Sequence, residues 1–219
     1  MITFEDIKKD ETVKIYIQKA DESLTALGFT EHSFAHVTKV ALTAADILKK
    51  TGHCNEDIEL AKIAGFMHDI GNLVNRVEHS QSGAVMAFRI LKDIGMPPED
   101  IATVVTAIGN HDEGTGVAVN DVAAALILAD KTDVRRSRVR NRDVSTFDIH
   151  DRVNYSVKES SLAVDAENKY IILSLTIDTE ISSVMNYFEI FLTRMLMCQK
   201  AAEKLGLVFG LSINGQKLL

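Results

Sequence analysis

Apolar positions along the first two thirds of the chain recur at three- and four-residue steps, the spacing of one buried helix face. From Thr3, a candidate cap with Asp6 three residues on, to Leu27, the positions Val13, Tyr16, Ile17, Ala20 and Leu24 keep that step and predict one N-terminal helix, broken at Gly28. A second helix is expected from about Glu31 to Lys50, with His32, His36, Val40, Ala44 and Ile47 on one face. Asn55 caps a third, in which Ile58, Ala61, Ala64, Gly65 and His68 form a stripe thin enough for a neighbouring helix to approach closely. Gly71 stands where a helix end favours a left-handed residue. A fourth helix starts near Ser80 or Ser82 and ends at Gly95, burying Ala84, Ala87, Phe88 and Leu91, with His79 just before it. Pro98 opens a fifth, along which Ile101, Val104, Ile108 and His111 share a face. After the Gly114–Gly116 loop, Asn120 or Asp121 opens a sixth, with Ala123, Leu126, Ile127 and Asp130 inward.

Beyond Asn141 the period changes. Ile171, Leu173, Leu175 and Ile177 alternate as in a strand, and a preceding strand over Val153–Val164 pairs with it through an Ala166-Glu167-Asn168 turn. A helix from Ser182 to Leu205 carries Val184, Phe188, Phe191, Leu192, Met195, Cys198 and Ala202 at core spacing, and Leu207–Ile213 reads as a last strand. The fold class expected is mainly α: a helical bundle over residues 1–146 with a small C-terminal α+β extension over residues 147–219. The extension is expected to be structural, covering its apolar helix against the bundle or against a second copy in a homodimer.

With 219 residues and 46% apolar side chains the chain can bury a core without staples, and its two cysteines, Cys54 and Cys198, suggest neither a disulfide framework nor a thiolate metal site. The start Met1-Ile2-Thr3-Phe4-Glu5-Asp6 lacks the apolar core of a signal peptide, and the aliphatic run Val122–Ala129 is far short of the roughly 20 residues of a membrane span. A cytoplasmic protein is expected. A net charge of −7 argues against general nucleic-acid binding, which draws on clustered Lys and Arg.

The chemistry lies in the polar residues on those apolar stripes. A single histidine on such a face is more often a satisfied core residue than a ligand. Here His36, His68, Asp69, His79, His111 and Asp130 lie on or beside five successive helices, each near the inward side. Burying so many uncompensated polar groups is costly, and a cation removes the cost by taking up their lone pairs. Imidazole and carboxylate without thiolate suit divalent transition metals, with iron or manganese ahead of cobalt, nickel or zinc. No Ser-His-Asp pattern or nucleophile elbow is visible.

The order His36, then His68-Asp69, then Asp130, over roughly Glu31 to Arg142, resembles the HD-domain superfamily of metal-dependent phosphohydrolases, and His79 and His111 resemble the added ligands of its dinuclear branch. The stretches His36-Val37-Thr38-Lys39-Val40-Ala41, Met67-His68-Asp69-Ile70-Gly71 and Leu128-Ala129-Asp130-Lys131 carry the likeness locally. The resemblance implies an HD-domain bundle with one metal held by His36, His68, Asp69 and Asp130, and a second by His79 and His111, Asp69 bridging. Two departures narrow it. Asn72 stands where many members have lysine, and His111 is followed by Asp112 with no Gly-Tyr-Pro after it, which disfavours the cyclic-di-GMP phosphodiesterase branch.

The function expected is hydrolysis of a phosphate ester or anhydride of a nucleotide or related small phosphorylated molecule, by hydroxide held on the metals, with Asp69 as the catalytic carboxylate. Of the basic run that follows the last ligand, Lys131 and Arg135 are expected to receive the substrate. His32 is read as a partner of the ligands, as a substrate contact, or equally as a plain surface or core histidine. Two alternatives stand beside this: a mixed-valence di-iron oxygenase of the same fold, and a metal-stabilised binding or regulatory module.

Overall fold

In the computed structural model, which describes residues 2–219, the centre of the molecule is a helix that is apolar on every side. This helix, α7 (Asp121–Lys131), buries every residue from Val122 to Lys131. Asn120 caps it, its side chain accepting from the Ala123 amide 2.7 Å away. Around it stand α3 (Phe34–Lys50), α4 (Asn55–Met67) and α6 (Pro98–Gly109), with α5 (His79–Ile94) against α6. A helix without a polar face needs cover all round, and the fourth wall comes from the C-terminal segment.

Several boundaries differ from the sequence expectation. The N-terminal helix is two, α1 (Phe4–Lys9) and α2 (Glu11–Ala26), because the Asp10 side chain accepts from the Val13 amide and turns a helix-interior position into a cap. Ser33 caps α3 in the same way, so His32 lies before the helix with Nδ1 donating to the Thr30 carbonyl at 2.7 Å. Cys54, not Asn55, occupies the cap position of α4. His79 is the first residue of α5 and does not precede it, since Glu78 takes the left-handed turn that opens the helix at φ 55°. Phe88 is 46% exposed, and the buried face of α5 is Gly83, Ala84, Ala87, Ile90 and Leu91. Gly71 is absent from the positive-φ glycines. Its role is close approach: a Cβ there would lie 1.9 Å from the His79 carbonyl oxygen, so only glycine lets the His68-Asp69 turn press against the start of α5.

In the C-terminal segment, Asp148 caps a short helix α8 (Ile149–Ser156) where a strand was expected, and strand β1 (Val157–Asp165) begins only after it. It pairs antiparallel with β2 (Tyr170–Ile177), whose Ile171, Leu173, Leu175 and Ile177 are buried in alternation. From β2 the chain crosses over through α9 (Val184–Lys204) to β3 (Val208–Ile213), parallel to β2, and a two-residue β4 (Gln216–Lys217) closes the edge in the order β1-β2-β3-β4. Helix α9 covers β3 on one side and α7 on the other, burying Tyr187, Phe191, Met195, Cys198 and Ala202, whereas Leu192 faces outward. Among the described residues no helix is long and apolar enough to cross a membrane.

Candidate metal centre

Five helix ends or faces deliver side chains to one point. Helix α3 supplies His36, the exit of α4 supplies His68 and Asp69, the first turn of α5 supplies His79, the exit of α6 supplies His111, and the last turn of α7 supplies Asp130. All six are buried.

Each imidazole is fixed through its far nitrogen. Nδ1 of His68 lies 2.8 Å from the Gly65 carbonyl, that of His111 2.6 Å from Ile108 and that of His79 3.1 Å from Arg76. A carbonyl only accepts, so these Nδ1 atoms carry a proton, and Nε2 is the nitrogen left to take a cation or a second proton. Nδ1 of His36 lies 2.8 Å from Oδ2 of Asp133, a carboxylate that also takes Lys39 Nζ at 2.7 Å and Arg135 Nε at 3.0 Å. Orientation of this kind is what metal-binding histidines require of their surroundings.

The Nε2 atoms converge on the two carboxylates. His68 Nε2 is 3.2 Å from Asp69 Oδ2 and 3.6 Å from Asp130 Oδ1, and His36 Nε2 is 3.7 and 3.4 Å from the same oxygens. The other oxygen of Asp69, Oδ1, lies 3.5 Å from His79 Nε2, which is 3.1 Å from His111 Nε2. Asp69 therefore faces one group with each oxygen. Three of the converging atoms, His36 Nε2, His68 Nε2 and Asp69 Oδ2, are buried without a hydrogen-bond partner, which a folded protein does not tolerate cheaply. Ligand atoms of His36, His68 and Asp130, and of His68, Asp69 and His111, each lie within 4.8 Å of one another. A divalent ion fits this donor set: lone pairs of neutral imidazoles and carboxylates, all pointing at a shared space.

The charges agree with that reading. Burial alone would raise Asp69 and Asp130, yet His68 beside the first and Lys131 beside the second hold both carboxyls well below the usual range. Burial pushes His111 well down and His79 down, so both rings stay neutral, and the Nε2 lone pair of His79 accepts from Arg76 Nη1 at 3.3 Å. His68 goes the other way: burial lowers it, but Asp69 and Asp130 overcome that and bring it up to about 10. Without a metal, a proton on His68 stands in for the cation. Asn72, where many family members have lysine, donates to Asp69 Oδ1 at 2.9 Å and accepts from Arg76 Nη1 at 3.3 Å, so it orients the carboxylate.

Above the cluster is a cavity of about 350 Å³ whose floor holds Asp69, His79, His111 and Asp130 and whose walls carry Arg76, Lys131, Arg138 and Arg194, with His32 and Phe29 at one side. Lys131 lines it, but its ammonium is held between Asp130 Oδ2 at 2.7 Å and Glu113 Oε2 at 3.3 Å. Arg135 lies outside it: its guanidinium is taken by Asp133, by Glu31 at 3.1 Å and by Ser137 at 2.6 Å. Burial, then Arg138, pushes His32 well down, leaving a neutral ring with Nε2 unused. Phe191 and Arg194 of α9 and His150, Asp151 and Asn154 of α8 complete the wall, so the C-terminal segment lines the cavity as well as packing on the bundle. Arg76, Arg138 and Arg194 carry no sequence signal that singles them out. Asp133 carries one: an acid three residues past Asp130 in an otherwise basic run.

Residues 33–152, more than half of the chain, match the HD domain family, and the chain belongs to that family. The uncharacterized protein MJ1020 of Methanocaldococcus jannaschii is 24% identical over 160 residues, which cover 63% of this chain and 61% of that one. The chain thus spans about three fifths of the length of this curated relative. A crystal structure of a predicted HD superfamily hydrolase from an uncultured Thermotogales bacterium aligns over 57% of this chain and 67% of its own, at 24% identity and a TM-score of 0.44.

Proposed function

We propose that this chain is a metal-dependent phosphohydrolase that cleaves a phosphate ester or anhydride of a nucleotide or related small phosphorylated molecule. The observation that carries the reading is the set of partnerless buried atoms, His36 Nε2, His68 Nε2 and Asp69 Oδ2, of which Asp69 also lines an arginine-walled cavity. On this reading His36, His68, Asp69 and Asp130 hold one ion and Asp69, His79 and His111 a second, iron or manganese suiting the donors. Bound ions supply Lewis acidity, polarising a phosphoryl oxygen and lowering the pKa of water.

The chain's own groups do the rest. Asp69 would serve both ions and is held in place by Asn72. Arg76, stacked on Phe29 with its guanidinium carbon 5.6 Å from the ring centre, presents a fixed planar donor to the phosphate. His32, with Nδ1 tied to Thr30, offers Nε2 as an acceptor for water or a substrate hydroxyl. The test is phosphate release from a panel of phosphomonoesters and anhydrides by protein stripped with chelator and reloaded with Mn(II) or Fe(II). Release is expected only from the reloaded protein. Reloaded protein that releases no phosphate yet consumes oxygen would replace this reading with the oxygenase.

A further inference from the structure

We propose that Glu113 and Arg194 are positioning residues for Asp130, through which the C-terminal helix α9 sets how tightly the centre holds its ion; this rests on the reading of the cluster as a metal site. Four charges of alternating sign run from α9 to the cluster. Arg194 Nε lies 2.5 Å from Glu113 Oε1, Glu113 Oε2 lies 3.3 Å from Lys131 Nζ, and Lys131 Nζ lies 2.7 Å from Asp130 Oδ2. The remaining oxygen, Asp130 Oδ1, faces His36 and His68.

Lys131 is 4% exposed, and its ammonium is shared between the carboxylates on either side. It is thereby a competitor of the metal for Asp130. How strongly it competes depends on how far Glu113 draws it away, and that depends on how much of Glu113 is claimed by Arg194. Arg194 is itself held against the Phe191 ring of the same helix, 4.7 Å from its centre. A separate contact fastens the Glu113 loop to α9: a Cβ on Gly116 would come within 2.5 Å of Met197 Cε, so the loop that also carries His111 is seated directly on the helix.

The opposite signs of the two steps give the test, which reads metal binding and not turnover. Calorimetric titration of chelator-stripped, full-length protein with Mn(II) should show Glu113→Gln binding at least about tenfold more weakly than wild type, the range for partners that orient a ligand. Arg194→Gln, which frees Glu113 to pull Lys131 off Asp130, should bind severalfold more tightly, and Arg194→Lys, which keeps the charge, should restore the wild-type value. The double variant should behave as Glu113→Gln alone, because Arg194 acts only through Glu113. Equal weakening by both single variants, no change in either, or a double variant that returns to wild type by simple charge balance would overturn the coupling. Wild-type protein that binds no Mn(II) would instead overturn the metal site on which it rests.

Discussion

Nε2 of His79 lies 3.1 Å from Nε2 of His111, and each ring already donates its Nδ1 proton to a carbonyl oxygen. Two lone pairs so placed repel unless a proton or a cation lies beside them, and Arg76 Nη1 lies 3.3 Å from Nε2 of His79. With Asp69 Oδ1 at 3.5 Å, the pair would, on the proposed reading, hold an ion of its own apart from the one proposed at His36.

Metal content measured on protein purified without chelator is therefore expected to approach two ions per chain. His79→Ala and His111→Ala should each lower it to one, leaving the His36, His68 and Asp130 group loaded. A wild-type stoichiometry of one, unchanged by either substitution, would remove this pair from the centre.

His68 links metal binding to pH. Raised to about 10 without metal, it is protonated at pH 7 and must release that proton to offer Nε2. Titration calorimetry in two buffers of different ionisation enthalpy should report about one proton released per metal bound. Apparent affinity should fall as pH falls. The metal-free fold gains stability from protonated His68 below its unfolded value near 6.5 and should lose it as pH rises through about 10, a loss absent from the metal-loaded protein.

Asp133 fixes His36 while balancing Lys39 and Arg135 around it. Asp133→Ala is expected to weaken metal binding by about 10–100-fold and to destabilise the fold by about 1–3 kcal/mol, since it leaves the buried Nδ1 of His36 without its partner. A denaturant midpoint unchanged from wild type would contradict that role.

Arg76 and Arg135 make a matched pair of tests for the anion. Arg76 faces the cavity and Arg135 is committed to Asp133 and Glu31. With the substrate that the panel identifies, Arg76→Ala should raise KM by about 10-fold or more, the loss of a hydrogen bond to a charged group, while Arg135→Ala should leave it near wild type. The reverse result would restore Arg135 as the substrate contact.

The helices were legible because their apolar period is strong, and that period also showed which way His36, His68 and Asp130 face. Boundaries were less so wherever one polar side chain competed for the backbone: Asp10 split a helix, Ser33 delayed another, and Asp148 turned an expected strand start into α8. The cavity walls were the least legible part. Arg135 is adjacent in sequence to the ligand helix but turns outward, whereas Arg194 arrives from the far end of the chain because α9 must cover α7. Adjacency in sequence does not say which arginine reaches a cavity; the route of the chain after the last ligand does.

The central claim is that one carboxylate, Asp69, organises the centre, and the most direct measurement is metal content and phosphate release on Asp69→Asn. The side chain keeps its shape and loses its charge, so the fold should survive. Both metal content and phosphate release are expected to collapse together. Full metal content with wild-type phosphate release in this variant would contradict the account.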